Sequence, residues 1–216
     1  MLGAIRRAVV SRHDRWALRR EIERLRHELS QSQKYSFTMD WTSERVEDWR
    51  RDFAKFAGRP GLRMLEIGSY EGRSAVWFLE NILTHPTCRL VCVDPFLDPT
   101  REMRFDHNIK VCRAKDRVEK RRARSETVLP QLKESSFDLI YVDGWHDAPA
   151  VLFDAMLSWE ILKPGGVLVF DDYEWEPGRP PERRPKLAID LFLRSHAGKY
   201  NLLRQGYQVV IEKKEG

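Results

Sequence analysis

FDLIYVDGWHDAPAVLFDAMLSWEILKPGGVLVFDDY, residues 137–173, contains the strand and helix patterns around which the rest of the chain is organised. Its two apolar runs, 139–142 and 167–170, lack the alternation of a half-exposed strand, which is typical of strands buried on both faces of a parallel sheet. Between them, apolar residues at helical spacing and a proline in the first turn predict a crossover helix, followed by a Pro-Gly turn. The stretch is therefore predicted to be a β-α-β unit.

Acidic residues follow both predicted strands: Asp143 the first, Asp171 and Asp172 the second. The carboxyl ends of parallel strands meet at one edge of a sheet, where ligands bind. Three carboxylates gathered there repel one another unless a cation lies among them or one keeps its proton. Oxygen ligands favour Mg²⁺, Mn²⁺ or Ca²⁺ over zinc. The alternative is that these acids cap helices or bind loop amides.

One geometric condition applies to the pair of aspartates. Adjacent residues of a strand point to opposite faces, so Asp171 and Asp172 converge only if the strand has already ended. Tyr173 and the following loop allow this, and residues 174–185, rich in Pro, Arg and Glu, are predicted to form a mobile lid beside the acids.

A second junction between a strand and a helix lies upstream. A strand over 62–67 leads into the loop GSYEGRS at 68–74 and a helix through Leu83. Such glycines permit a tight turn and close approach of a ligand, and the helix N-terminus supplies free amides. Tyr70 and Arg73 replace two glycines of the dinucleotide motif, so a pyrophosphate is not favoured. Asp94, at the tip of the next predicted strand, is suited to bind ribose hydroxyls, which favours an adenosine-containing ligand.

The remaining elements are predicted from periodicity and turn signals. An apolar aromatic stripe that includes Trp41 and Trp49 predicts a helix from about 43 to 57, and the approach segment 37–41 is a candidate cover over the ligand. Further helices are expected over 101–114, from Ser125 and over 186–196, and further strands over 89–93, 118–122, 200–204 and 207–211.

Composition restricts the class of protein. The chain has 216 residues and three cysteines without C-x-x-C spacing, which indicates neither a disulfide framework nor a zinc site. No apolar run reaches the length of a membrane span, and a reducing cytoplasmic location fits. The net charge of +5 belongs to residues 1–34, because residues 35–216 hold equal numbers of basic and acidic side chains.

Residues 1–34 are predicted to form a basic helical extension to a domain over 35–216. Its leucine-rich seam, Leu18, Ile22, Leu25 and Leu29, could pair two protomers as a short coiled coil, pack on the domain, or lie on an anionic membrane. A homodimer and peripheral membrane contact are therefore both open.

Four motifs together, LEIGSYEGRS at 65–74, CVDPF at 92–96, IYVDGWH at 140–146 and VLVFDDY at 167–173, resemble the class I S-adenosylmethionine-dependent methyltransferases. The resemblance covers about residues 37–213. It implies an α/β fold with a doubly wound, Rossmann-like sheet of seven strands, mostly parallel with an antiparallel C-terminal strand. The glycine loop and the three aspartates look like those of the metal-dependent O-methyltransferases, both the catechol type and the macrolide and aminocoumarin sugar type.

The resemblance also implies roles for individual residues. Asp143, Asp171 and Asp172 would bind Mg²⁺ or Mn²⁺, and His146, three residues after Asp143, would be the catalytic base. The cofactor S-adenosylmethionine would be bound by eight residues: Glu66, Gly68, Ser69, Tyr70, Gly72, Ser74, Asp94 and Ser125. Among them, Ser74 would meet the methionine carboxylate, Asp94 the ribose and Ser125 the adenine.

The function implied is Mg²⁺-assisted transfer of a methyl group to a hydroxyl of a vicinal diol, either a sugar or glycoside or a catechol-like molecule, free or on a glycoconjugate. Ala123-Arg124-Ser125 departs from the Gly-Asp-Ser or Gly-Ala-Ser of many relatives.

Two other functions remain open. An RNA or other nucleic-acid methyltransferase would use the basic runs at 1–26 and 110–124, although the second run lacks aromatic residues for base stacking and suits a solvated face. A non-catalytic scaffold would use the leucine-rich seam for dimerisation.

Overall fold

The computed structural model describes residues 34–215. The predicted basic helix and its leucine-rich seam therefore lie outside the described residues, and both the seam and the domain boundary at residue 35 stay predictions. From Phe37 onward the chain forms one compact unit.

A seven-stranded sheet forms the centre of this unit, in the order β3-β2-β1-β4-β5-β7-β6. Strands β1 to β5 are parallel neighbours, whereas β7 runs antiparallel to both β5 and β6. The predicted α/β fold, including its antiparallel C-terminal strand, is confirmed. The strands are β1 Arg63–Ile67, β2 Arg89–Asp94, β3 Val118–Arg122, β4 Phe137–Val142, β5 Leu162–Phe170, β6 Tyr200–Gln205 and β7 Val209–Lys213.

Helices flank the sheet and supply the crossovers between parallel strands. They are α1 Val46–Asp52, α2 Arg73–Asn81, α3 Pro99–Val111, α4 Ser125–Val128, α5 Ala148–Ile161 and α6 Pro185–Ser195. The strand order reverses between β1 and β4, because the chain crosses first to one side of β1 and then to the other. In open α/β sheets this switch point leaves a crevice at the carboxyl ends of the two strands, and the crevice is the expected ligand site.

The central β-α-β unit is confirmed, with one correction. The predicted turn at Pro164 and Gly165 lies inside β5, which begins at Leu162 rather than near residue 167. Gly165 has a φ of +71°, and the pairing of β4 with β5 shifts register between Phe137 and Leu139. Gly165 thus lets the chain bend without leaving the sheet. The Pro-Gly pair that predicted a turn corresponds in the structure to an irregularity within β5.

The predicted helix over 43–57 is shorter in the structure. Two 3₁₀ turns, Ser43–Arg45 and Ala54–Phe56, flank α1. Trp49 is buried in the aromatic core, where its indole nitrogen donates a hydrogen bond of 2.8 Å to Gln208. Trp41 was wrongly included in the apolar stripe, because its side chain is 64% exposed at the rim of a cleft.

Over residues 34–215, no helix combines the length and the apolar character that crossing a bilayer requires.

Candidate active site

A cleft of about 840 Å³ opens at the carboxyl ends of β1, β2, β4 and β5. The glycine loop after β1 and the acidic loop after β4 meet at its floor. An added Cβ at Gly68 would lie 1.8 Å from the carbonyl oxygen of Asp143, so the two loops are in backbone contact. Glycine is required at this position for a second reason as well, because Gly68 has a φ of +86°, which residues with a side chain rarely adopt.

Asp94 organises the glycine loop. Its Oδ2 accepts hydrogen bonds from the backbone amides of Ser69 (3.0 Å) and Tyr70 (2.9 Å), and its Oδ1 accepts one from the amide of Phe96 (2.7 Å). Tyr70 has a φ of +46°, an uncommon conformation for a residue with a side chain. The predicted ribose-binding carboxylate therefore also fixes the shape of the loop that would surround the cofactor.

The predicted cofactor residues divide into two groups. Six of the eight line the cleft: Gly68, Ser69, Tyr70, Ser74, Asp94 and Ser125. The other two lie behind it. Glu66 is fully buried and accepts a hydrogen bond of 2.6 Å from Ser74, while a Cβ at Gly72 would lie 2.9 Å from the Phe105 ring. The structure thus places Glu66 and Gly72 where they shape the pocket wall.

The segment 37–41, predicted to cover a ligand, lies along one side of the cleft. The buried carboxylate of Glu71 accepts hydrogen bonds from the amide of Thr38 (2.6 Å) and from its hydroxyl (2.8 Å). Arg73 donates to the carbonyl oxygen of Met39 at 3.0 Å and pairs with Asp40 at 3.2 Å. Glu71 of the glycine loop and Arg73 of helix α2 therefore attach this segment to the glycine-loop side of the cleft.

The acidic loops bring together Asp143, His146 and Asp172. One ligand atom from each of the three lies within 4.8 Å of the others. His146 Nε2 is 3.0 Å from Asp172 Oδ2 and 3.8 Å from Asp143 Oδ1. Because β5 ends at Phe170 and Asp172 has a φ of +59°, Asp172 turns out of the strand direction. Asp172 therefore converges with Asp143, whereas the predicted convergence of Asp171 with them is not seen among the clustered ligand atoms.

Asp171 has a different environment from the other two acids. Its carboxylate accepts hydrogen bonds from the hydroxyl of Tyr141 and from the backbone amide of Asp172, the latter at 2.8 Å. The Tyr141 hydroxyl in turn accepts a hydrogen bond of 3.1 Å from Gln208. Asp171 lines the cleft, but its carboxylate is engaged by these hydrogen bonds within the protein. The third residue of the cluster is therefore His146 and not Asp171.

Burial and mutual repulsion shift the pKa values of the three aspartates. Burial and the nearby charge of Asp171 raise the pKa of Asp143 well above its usual range. Burial likewise raises the pKa of Asp171, with the charge of Asp172 adding to it. Burial acts against the charge on Asp172, but hydrogen bonds from His146 and Tyr207 outweigh it and lower the pKa of this carboxyl.

The same carboxylates act on His146 in the opposite sense. Burial disfavours the charged imidazole, yet the interactions with Asp143 and Asp172 raise the pKa of His146 to about 10. The imidazolium thus provides the positive charge that the acids require. A divalent cation fits between Asp143 and Asp172, because oxygen atoms of both carboxylates converge there and repel one another without a positive charge.

Three side chains of the cleft were not identified from the sequence. Tyr207, in the turn between β6 and β7, donates a hydrogen bond of 2.6 Å to Asp172 Oδ1. The guanidinium of Arg45 lies 4.2 Å from the centre of the Tyr207 ring. Trp175, in the predicted lid, meets the His146 ring edge to face at 4.6 Å. Their only sequence signal was residue type, because the turn and loop patterns do not tell which side chain reaches a site.

Ser125 begins helix α4 beside a buried acid of helix α5. Asp154 is 2% exposed, and its Oδ1 has no hydrogen-bond partner within the described part of the chain. Burial raises the pKa of Asp154 to about 6, although a hydrogen bond with Ser125 acts in the opposite direction. A Cβ at Gly144 would come within 3.3 Å of Asp154 Oδ2, so this acid lies beneath the loop that carries Asp143.

Part of the basic run at 110–124 is paired with acids of the domain. Lys120 contacts Glu102 at 3.0 Å and Asp106 at 2.7 Å, and Arg122 lies 3.4 Å from Glu102. These pairs are consistent with the solvated face preferred from the sequence.

A profile of the family described as Methyltransferase domain matches residues 65–173, about half of the chain. The match begins in β1 and ends just after the paired aspartates, so it contains both loops of the cleft. The chain belongs to this methyltransferase family. With the strand order, this confirms the predicted class I S-adenosylmethionine-dependent type.

Among known proteins, the methyltransferase is similar to an uncharacterised protein of Acanthamoeba polyphaga mimivirus. The two are 29% identical over 148 residues, which cover 65% of this chain and 63% of the viral protein. The chain therefore matches less than two thirds of the length of that relative.

Two solved structures have the same fold as the methyltransferase. The O-methyltransferase TomG of Streptomyces achromogenes, involved in tomaymycin synthesis and solved with S-adenosylmethionine, has a TM-score of 0.64 and 18% identity, covering 82% of each chain. An O-methyltransferase of Bacillus cereus, solved with S-adenosylhomocysteine, has a TM-score of 0.64 and 17% identity, covering 90% of each chain.

Proposed function

We propose that this chain is an O-methyltransferase that uses S-adenosylmethionine and a divalent cation, Mg²⁺ or Mn²⁺, to methylate one hydroxyl of a vicinal diol. The acceptor class is a sugar or glycoside, or a catechol-like small molecule. The observation that carries the proposal is the convergence of Asp143, His146 and Asp172 in the same cleft as the glycine loop. The O-methyltransferases with the same fold, solved with the cofactor or its product, support it.

The cofactor would be held by the glycine loop and its surroundings. Asp94 would receive the ribose hydroxyls, Ser125 would lie beside the adenine, and Gly68 would allow close approach to the backbone. The methyl group of a sulfonium is already activated, so the main tasks of the protein are to align an acceptor oxygen with it and to exclude water. The segment 37–41, fixed by Glu71 and Arg73, would close one side of the cleft.

The cation would be held by Asp143 and Asp172, with Asp171 as the third candidate ligand. When bound, a divalent cation supplies Lewis-acid stabilisation to a hydroxyl oxygen and provides the positive charge otherwise carried by the protonated imidazole. His146 could then lose its proton at neutral pH and accept one from the acceptor hydroxyl. The contact of 3.0 Å between His146 Nε2 and Asp172 Oδ2 supports this role, because it holds the imidazole beside the expected reaction site.

Turnover with and without metal tests the proposal. The full-length chain is treated with a chelator and assayed for release of S-adenosylhomocysteine with catechols, vicinal-diol sugars and their monohydroxy analogues. We expect turnover of diols that Mg²⁺ or Mn²⁺ restores and that Asp143→Asn abolishes, whereas Asp116→Asn, at an exposed position, leaves it unchanged. Turnover indifferent to metal, or equal rates with monohydroxy analogues, would contradict it.

A further inference from the structure

Asp172 has a backbone conformation that needs support. It has a φ of +59°, in the left-handed region that residues with a side chain rarely occupy outside strained or functional positions. Its carboxylate is nevertheless one of the three groups that converge in the cleft. Contacts with neighbouring residues must therefore hold both the backbone and the side chain of Asp172 in place.

Contacts from three directions fix Asp172. Its backbone amide donates to Asp171 Oδ1 at 2.8 Å, and one carboxylate oxygen, Oδ2, faces His146 Nε2 at 3.0 Å. The other, Oδ1, accepts the hydroxyl of Tyr207 at 2.6 Å. Tyr207 is the one of these three partners that lies far from the acidic loops in sequence and comes from a different hairpin.

Tyr207 is itself fixed on two sides. Its carbonyl oxygen accepts a hydrogen bond of 2.9 Å from the amide of Tyr173, so the hairpin turn is tied to the residue after Asp172. The Arg45 guanidinium packs on its ring at 4.2 Å. Arg45 precedes helix α1, so segments near the two ends of the domain meet at this ring.

We infer that Tyr207 is a positioning residue for metal binding: its hydroxyl orients the Asp172 carboxylate so that one oxygen stays directed toward Asp143 and His146. The inference rests on the proposed function, because it assumes that Asp172 binds the cation. Partners that orient a ligating carboxylate typically contribute ten- to a hundredfold to metal affinity. Arg45 supports the orientation by holding the Tyr207 ring.

The test is a titration of Mn²⁺ into the full-length protein, with free Mn²⁺ measured by electron paramagnetic resonance. Tyr207→Phe keeps the ring and its packing against Arg45 and removes only the hydroxyl. Tyr200→Phe is the matched control, since Tyr200 belongs to the same hairpin and packs against the core instead of the acids. Affinity for S-adenosylmethionine and the melting temperature are measured for each variant.

We expect Tyr207→Phe to bind Mn²⁺ about tenfold more weakly, or worse, while Tyr200→Phe binds it as the wild type does and neither change alters cofactor affinity. Equal Mn²⁺ affinity of Tyr207→Phe and the wild type would overturn the inference and leave the proposed function intact. Loss of cofactor binding together with a large fall in melting temperature would show a structural role instead. Absence of Mn²⁺ binding by the wild type would remove the metal from the proposed function, and this inference with it.

Discussion

His146 Nε2 lies 3.0 Å from Asp172 Oδ2, although the two residues follow different strands of the sheet. The contact joins the proposed base to a proposed metal ligand. The hydrogen bonds with Asp143 and Asp172 outweigh burial and raise the pKa of His146 to about 10, so without a second positive charge the imidazole stays protonated at neutral pH. The proposed base can therefore act only together with the proposed metal, which would supply that charge.

Replacing His146 should affect turnover far more than cofactor binding. Loss of a positioned base typically reduces the rate about 10²- to 10⁴-fold, and we expect His146→Gln to lower kcat within this range. Affinity for S-adenosylmethionine, measured by calorimetry, should change little. His85→Gln, at a partly exposed histidine bonded to Thr87, is the control and should behave as the wild type. A His146→Gln enzyme with nearly full kcat would exclude the proposed base.

The contact between the two loops makes Gly68 irreplaceable. In Gly68→Ala the added methyl group meets the Asp143 carbonyl at 1.8 Å and the residue keeps an unfavourable φ. We expect a loss of more than about 3 kcal/mol in the free energy of unfolding, together with loss of cofactor binding. Gly61→Ala separates the two effects, since Gly61 has a φ of +72° but no atom within 4 Å of the added Cβ. It should cost only about 1 to 2 kcal/mol.

Denaturant unfolding of both variants measures these costs. Equal losses for Gly68→Ala and Gly61→Ala would mean that the loops do not touch as described.

Asp94 should matter more than a ribose contact alone would require. Asp94→Asn replaces an acceptor oxygen with a donor that must face one of the three loop amides now bonded to the carboxylate. We expect the dissociation constant for S-adenosylmethionine to rise at least about tenfold and the melting temperature to fall, because an unpaired buried donor costs about 1 to 3 kcal/mol.

A nearby substitution provides the comparison. Asp98 caps helix α3 by accepting from the Thr100 amide, a role that asparagine fills as well. Asp98→Asn should therefore leave both quantities close to wild type. If Asp94→Asn also leaves the dissociation constant and the melting temperature close to wild type, Asp94 does not hold the loop as described.

Asp154 should make stability depend on pH in an unusual direction. Burial raises its pKa in the folded chain to about 6 from an ordinary value of 3.8. The folded state thus binds the proton more tightly, which stabilises it fully below the ordinary pKa and ceases to do so as pH rises through the folded pKa. Above that range the buried charge costs roughly 3 kcal/mol.

Unfolding of Asp154→Asn as a function of pH tests this. The variant should gain stability relative to the wild type between about pH 4 and 6 and keep the gain at higher pH. Asp116→Asn, at an exposed position, should show no such gain. A difference between Asp154→Asn and wild type that does not change with pH would contradict the assigned burial effect.

The sequence predicted the parts of the molecule that depend on local pattern. The buried runs around residues 140 and 168, the glycine loop and the acids at strand ends follow from burial on both faces and from backbone freedom, so their positions were correct. The strand irregularity at Gly165 was missed, because one signal fits two backbone shapes. Trp41 was assigned both to the apolar stripe and to the candidate cover 37–41, because an aromatic residue fits both a core and a cleft rim, and its exposure favours the second.

The partners of the acids could not be predicted in the same way. Tyr207 and Tyr141 meet Asp172 and Asp171 only after the sheet has assembled, and nothing in their local sequence marks them. The replacement of Asp171 by His146 in the cluster has the same origin, since the Tyr141 hydroxyl competes for the Asp171 carboxylate.

The proposed chemistry requires that the cleft binds S-adenosylmethionine as the methyl donor. Calorimetric titration of S-adenosylmethionine into the chelator-treated full-length protein tests it most directly, with Gly68→Ala as the negative control. We expect saturable binding at one site per chain in the wild type and none in the variant. Absence of binding to the wild type, with and without added Mg²⁺, would contradict the claim, because no donor would then be available to the acids and His146.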